Sequence, residues 1–558
     1  MSATPADRTV PAGDPGRPWP AAAVLDRALC GVAALVVAFS LIQIATFGYG
    51  RDQGIYAVVA RTMLEGGMPY RDAWDFKPPG IFLVYALARA LVPEGQWAVR
   101  ALEVASLAGM ALGMMRLARL WWGSWRIGLV AGALGVLVHA QLDFWHTAQP
   151  ESFGGMLTIA GLALVAASGP QGPLLPSRGR LLRYALCGLL FGCAGLLKPP
   201  LAGGGAVVAM GAAWQAWRAG VGAGSAGRRA AHALGAPVAL LAGGALAFAA
   251  CLAWFAARGA LGALYQALFV FTPGYTALGW QDATLLGLLY DAFTRWLLNY
   301  SSLLPVGLFA LLGAGPCLWR RPAVGLLAGV IAVHLLGVAL QGKFFPYHFG
   351  ATWPLTALLA ALGYWWLWEH ARRRGALGLV LFAAAVLLAA RLRTATKDLS
   401  DSFWQRSWER VRLVAGRRTE PDLDALASVA DVDAAANRAV AGWLARHVPR
   451  GEPVYVWGFE PAIYDLGRLG LGSRYIYNVP QRVGWAAGEA RAALLADLGH
   501  SRPRAIVVAH RDVFPMVTGN LLDSAGALGD FPALASFIEQ GYAWQASIED
   551  FDIYLARP

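Results

Sequence analysis

Apolar runs of about twenty residues, separated by short arginine-bearing loops, recur through roughly the first 390 residues, and this recurrence constrains the fold more than any other feature. Lipid offers no partner to a backbone N–H or C=O, so a segment of about 20 predominantly apolar residues reads as a spanning helix. On that rule spans fall near 23–47, 97–118, 125–142, 152–168, 181–197, 200–217, 233–257, 297–317, 323–341, 350–369 and 375–391, about eleven in all. A hydrophobic fraction of 57% with only 14% charged residues excludes a soluble globular class. The 23 Trp suit a chain with two water interfaces to anchor.

The arginines set the orientation. If the N-terminus is cytoplasmic, one set of loops holds Arg116, Arg119 and Arg126; Arg178, Arg180 and Arg183; Arg218, Arg228 and Arg229; Arg320 and Arg321; and Arg372, Arg373 and Arg374. The intervening short loops hold almost no positive charge beyond Lys198 and Lys343, which by the positive-inside rule makes theirs the outer side. The net charge of +12 is thereby accounted for by topology rather than by nucleic acid. Cys30, Cys187, Cys193, Cys251 and Cys317 all lie in or beside apolar stretches, with neither a disulfide framework nor zinc spacing.

The expected organisation is a cytoplasmic tail over 1–22, a membrane domain over 23–391 and an outer-side α/β domain over 392–558. The first span reads as uncleaved, being too long for a signal-peptide core. The long loop from Tyr49 to Gln96 includes an apolar piece, Ile81 to Val92, too short to span and therefore juxtamembrane. In the last domain a helix is expected near 422–447, with strands at 453–457, 474–479, 505–509, 543–548 and 551–555.

The first outer loop, YGRDQGIYAVVARTMLEGGMPYRDAWDFKPPG, concentrates Arg51, Asp52, Arg71, Asp72, Asp75 and Lys77. Topology does not need that density. Asp52 is followed at helical spacing by Tyr56, Ala60 and Met63, which would hold its carboxylate at the membrane surface. A second outer loop, QLDFWHTAQPESFGGML, adds Asp143, His146 and Glu151. Lys198 stands in GLLKPPLAGG, and Lys343, Tyr347 and His348 in GKFFPYHFGATWP.

Carboxylates and lysines converging from several outer turns suit transfer of a sugar from a lipid phosphate to a hydroxyl. A phosphate leaves readily once its charge is stabilised, so cations are needed beside it; Lys77, Lys198 and Lys343, with Arg71, are the candidates. The acceptor hydroxyl needs a carboxylate base within hydrogen-bond reach. Asp52 is the first choice, with Glu151 or Asp143 as the second carboxylate. Tyr56, Tyr70, Asp72, Asp75, His146, Tyr347 and His348 are expected to contact substrate. No aspartate pair has an unambiguous metal-binding spacing, so a divalent ion has no sequence support.

At these residues the chain resembles the GT-C membrane glycosyltransferases, specifically the protein O-mannosyltransferase and lipid A aminoarabinose transferase family. The match rests on Asp52 with Tyr56, on GGMPYRDAWDFKPPG with its Lys-Pro-Pro, on the acidic second outer loop and on FPYHFGATWP, and covers roughly the first 390 residues in layout. The resemblance implies an inverting hexosyl- or pentosyltransferase using a polyprenyl-phosphate sugar, with a lipid, glycan or protein acceptor, in the bacterial inner membrane. It further implies Asp52 as base and Lys77 near the donor phosphate. One departure stands out: many family members follow that Asp with Glu, and here Gln53 follows it. The rival reading is a transporter or lipid flippase, which would place charges near mid-membrane and often show related halves. Glu103, His139 and His334 lie in spans but read as packed or interfacial residues, and no internal repeat is evident.

Overall fold

The structure, a computed structural model, describes residues 22–92, 95–166, 178–219, 226–391, 397–416, 426 and 433–558. The expected tail over 1–22 therefore lies almost entirely outside the described residues. Helices stand at each expected apolar run: α1 (Ala22–Ala45), α4 (Trp97–Trp122), α5 (Trp125–Gln141), α6 (Pro150–Ala166), α7 (Arg178–Leu197), α8 (Gly203–Ala219) and α9 (Ala226–Ala257). After them come α10 (Leu285–Leu298), α11 (Leu303–Gly313), α12 (Pro322–Gln341), α13 (Trp353–Arg373) and α14 (Gly375–Arg391). Among the described residues five of these are long and apolar enough to cross a membrane, and the bent pair α10–α11 makes a sixth.

The long first loop folds into two further helices, α2 (Arg51–Leu64) and α3 (Gly80–Leu91), the second being the apolar piece expected to lie at the interface. At the far end of α1, Asp26 takes Arg126 at 2.8 Å, Arg372 at 3.4 Å and the Trp368 indole N–H at 2.8 Å. The starts of α1 and α5 and the end of α13 thus meet at the arginine-rich end.

One expected span is corrected. A single helix over 297–317 does not form; α10 and α11 meet at 95° across residues 299–302. The intervening Asn299, Tyr300, Ser301 and Ser302 include side chains that compete for backbone hydrogen bonds. Pro305, in the first turn of α11, is tolerated there and would break a helix running through it.

Beyond the bundle, Lys397–Ala415 and Ala434–His447 are helical; most of 422–433, where the second helix was expected to begin, lies outside the described residues. A five-stranded mixed sheet follows, in the order β2-β1-β3-β5-β4. Its members are β1 (Pro453–Trp457), β2 (Gly470–Leu471), β3 (Ala505–Ala509), β4 (Tyr542–Ile548) and β5 (Phe551–Ala556). β1 runs parallel to β2 and β3, and the terminal hairpin closes antiparallel on β3. β3 is buried at every position, as a strand covered on both faces must be.

The strand expected at 474–479 is absent. Within it the adjacent Ile476 and Tyr477 are both fully buried. The segment instead runs irregularly against the first loop, where Trp74 N donates to Arg474 O at 2.7 Å and Tyr477 OH donates to Asp75 at 2.7 Å.

Candidate functional site

The site begins at the turn from α1 into α2. A side chain at Gly50 would come within 2.7 Å of Trp145 Cβ, so only glycine lets the first loop lie against the second. Gln53 fastens the two together. Its Oε1 accepts from Gly50 N at 3.0 Å, and its Nε2 donates to the carbonyls of Phe144, Trp145 and Thr147 at 3.0, 3.1 and 2.6 Å. Facing three carbonyls, this position needs a donor, which an amide has and a carboxylate lacks. The departure from the family pattern thus has a local physical reason.

Fixed in this way, α2 presents Asp52 and Tyr56 one turn apart. Lys77 reaches Asp52 Oδ2 at 3.0 Å and Tyr56 OH at 3.1 Å. Tyr56 OH donates to Gln149 Oε1 at 2.9 Å, and Gln149 Nε2 donates back to Asp52 Oδ2 at 3.2 Å. Four side chains therefore close a hydrogen-bonded ring across three stretches of chain. The Asp52 and Lys77 side chains are each 18% exposed, enough to meet a ligand.

A second pair, Glu151 with Lys198, stands beside the first. Tyr347 links them: its ring centroid lies 5.5 Å from Lys77 Nζ and 5.9 Å from Lys198 Nζ, and its hydroxyl engages Asp52. Glu151 Oε2 is buried with no hydrogen-bond partner among the described residues. A buried carboxylate oxygen with unused lone pairs can accept from a donor group of a ligand.

Burial opposes the charge on Lys77, but Asp52, with Tyr56 and Asp75, outweighs it and holds the ammonium well above its ordinary value. At Lys198 burial prevails over Glu151, and the value falls. Burial lifts the Asp75 carboxyl to about 6, against the pull of Lys77 and the Tyr477 hydrogen bond. Burial also lowers His146, and together with Lys198 it lowers His348.

The other expected site residues divide. Tyr70 donates to the Lys77 carbonyl at 2.8 Å and so shapes the lysine turn. His146 packs its ring 5.7 Å from that of Tyr347, and His348 Nδ1 meets the Lys343 carbonyl at 2.7 Å. Lys343 itself is turned to the Met516 carbonyl at 2.7 Å and lies over Tyr275, and burial brings it down to about 8. Asp143 is not brought to the cluster: Arg406 at 2.9 Å and Arg410 at 3.7 Å hold it, and its carboxylate accepts from Phe144 N. Arg71 and Asp72 pair with each other at the surface, and Arg71 also donates to Arg258 O. Both corrections have one cause, since a charge in a loop takes the nearest counter-charge the fold supplies.

Gln149, Tyr275 and Tyr477 join the site without having been anticipated. The first carries no charge and the others stand far along the chain, so only the PES start of α6 beside Gln149 offered a local signal. Among the described residues no group of three or more His, Cys, Asp or Glu is arranged to hold a metal ion.

No family description and no curated protein matches the sequence. Among solved structures the chain is similar to ArnT from Cupriavidus metallidurans in the apo state, at 16% identity and TM-score 0.54, over 96% of this chain and 100% of that one. The same protein bound to undecaprenyl phosphate aligns over the same shares at 16% identity and TM-score 0.49. An Archaeoglobus fulgidus oligosaccharyltransferase tethered with an acceptor peptide aligns at 14% identity and TM-score 0.47, over 96% of this chain and 74% of that one. The likeness to apo ArnT identifies the fold as GT-C-like, as expected from the first-loop motifs.

Proposed function

We propose that this membrane protein moves a sugar from a polyprenyl-phosphate donor to a hydroxyl of a lipid, glycan or protein acceptor, with inversion, at the outer face of a bacterial inner membrane. The observation that carries the reading is the ring of Asp52, Lys77, Tyr56 and Gln149, with Glu151 and Lys198 joined to it through Tyr347. ArnT has been solved with undecaprenyl phosphate, which agrees with a lipid-phosphate donor.

In this reading the donor phosphate takes the ammonium groups of Lys77 and Lys198. An ammonium has three N–H donors, and Asp52 and Tyr56 engage two of those of Lys77. As phosphate claims Lys77, Asp52 gives up part of its contact with that ammonium, so donor binding frees the carboxylate to accept from the acceptor hydroxyl. The acceptor oxygen then attacks the anomeric carbon from the face opposite the phosphate. Its proton passes to Asp52, while the bond from carbon to phosphate oxygen breaks with its electron pair on the departing polyprenyl phosphate. Glu151, with an open oxygen, orients a hydroxyl of sugar or acceptor.

For topology we propose that the eleven apolar helical segments, counting α10 with α11 as one, each cross once. The tail is then cytoplasmic and 392–558 lies on the outer side; the gathering of Arg126 and Arg372 on Asp26 at the opposite end supports this. Function is tested by transfer of radiolabelled sugar from polyprenyl-phosphate donors to endogenous acceptors in membranes bearing either wild type or Asp52→Asn. Removing a general base is expected to lower transfer by about 10²–10⁴-fold at unchanged protein level. Equal transfer by Asp52→Asn overturns the base assignment, and no transfer by wild type from any donor overturns the enzyme.

A further inference from the structure

A cleft of about 800 Å³ opens on the other side of α2 from the cluster. At 100° per residue, Arg61 and Glu65 stand on the helix face opposite Asp52 and Tyr56, and Arg61 lies about 13 Å farther along the axis. The cleft is therefore separate from the reacting groups. Its walls are the ends of α1 and α2, the start of α4 and the C-terminal domain near 450 and 465–471.

Five arginines line it, Arg61, Arg89, Arg438, Arg450 and Arg468, against two acids, Glu65 and Asp465. The acids already face arginines: Arg89 holds Asp465 at 2.7 Å, and Arg61 lies 3.9 Å from Glu65. Among the described residues the lining is net positive and built from planar guanidinium forks, the side chains that match phosphate and carboxylate. Arg61 and Arg89 are fixed from behind by backbone carbonyls, those of Tyr464, Leu469 and Ala57.

The floor of the cleft runs on into exposed apolar helix faces. Thr46 lies one turn beyond Ile42, and Leu35, Ala38 and Ile42 form an exposed apolar stripe along α1 that leads up to it. On the adjoining α4, Trp97 lines the cleft, and exposed Ala101 and Ala105 continue down from it. Acyl chains laid on these two apolar faces would bring a headgroup to the arginines, with Trp97 at the depth where indoles settle.

We propose that this cleft is a second ligand site, for the anionic headgroup of a lipid whose acyl chains lie along α1 and α4. The proposal does not depend on sugar transfer. The test uses the full chain in mild detergent, titrated separately with phosphatidylglycerol, phosphatidylcholine and inorganic phosphate, with bound molecules counted by native mass spectrometry. Phosphatidylglycerol is expected to be retained where phosphatidylcholine is not. Arg450→Glu, at an exposed position, is expected to weaken that retention about tenfold, as loss of one charge-assisted contact does. Arg450→Lys keeps most of it, and Arg511→Glu, an exposed control elsewhere on the same domain, leaves it unchanged. Equal retention of the two lipids, or no difference between Arg450→Glu and wild type, overturns the site. Inorganic phosphate displacing phosphatidylglycerol at equal concentration overturns the lipid as its ligand and assigns the cleft to a free anion.

Discussion

Two polar networks meet the same pair of loops, and their chemistry differs. On one side Arg100 and Glu103 of α4, with side chains 1% and 0% exposed, pair at 2.8 Å. Arg100 spends its remaining donors on the carbonyls of Phe47, Gly48 and Phe144 and on the Thr147 hydroxyl, at 3.3, 2.7, 2.9 and 2.9 Å. Glu103 takes Ala148 N at 2.5 Å and His139 Nε2 at 2.8 Å. On the other side, Asp52 and Glu151 each face a lysine, a point charge on a flexible stem, with Lys77 and Lys198 18% and 15% exposed. The first network is saturated and sealed, and holds the loops. The second keeps an open oxygen, spare donors and a path to solvent, which is what a site for a changing ligand requires.

The largest expected effect breaks the comparison along its stability axis. Glu103→Ala leaves Arg100 buried without its counter-charge, a loss of about 3–5 kcal/mol. It is expected to yield aggregated or unfolded protein in size-exclusion chromatography and a much lower melting midpoint. Asp52→Asn removes one partner of a partly exposed pair, and its stability should stay within about 1 kcal/mol of wild type while transfer is lost. The comparison fails if the two variants exchange these phenotypes.

How much of this was legible follows from where the partners lie in sequence. Helix positions were readable because length and apolarity are local, and Asp52, Tyr56 and Lys77 because they fall within one loop. The break at 299–302 was also local, but an apolar average across Pro305 hides it. Asp143 read as a candidate for its place in an acidic loop; the arginines that hold it, Arg406 and Arg410, stand more than 260 positions later. Tyr477 meets Asp75 across 402 positions. The RYIYNV alternation mimicked a strand because aromatic and β-branched residues also suit a segment packed between two bodies.

Asp75 sharpens the comparison at an intermediate magnitude, since it is sealed like Glu103 but lies among the groups of the second network. Its folded value, about 6, is above the ordinary carboxyl value of 3.8. The folded state therefore holds the proton more tightly than the unfolded chain. The associated stability is fully present below pH 3.8 and lost as pH rises through 6, a penalty of about 3 kcal/mol at neutral pH. Asp75→Asn is expected to melt higher than wild type at pH 7 and to lose that advantage near pH 4. A difference independent of pH would place the effect in packing against Tyr477 rather than in the charge.

Gln53 supplies the smallest and most discriminating test, because it belongs to the loop fastening by its contacts and to the reacting group by its place beside Asp52. Gln53→Glu installs the residue that follows the corresponding Asp in many members of the family the chain resembles. Against the carbonyls of Phe144, Trp145 and Thr147 the new carboxylate finds acceptors where the amide found acceptors for its N–H groups. Losing those donors in a buried place costs about 1–3 kcal/mol. Acid should recover part of it, since a protonated carboxyl regains one donor. The expected result is a lower melting midpoint at pH 7, a smaller deficit at pH 5, and transfer per folded molecule near that of wild type. If transfer instead rises at unchanged stability, the position acts in the chemistry, and the boundary between the two networks moves one residue along α2.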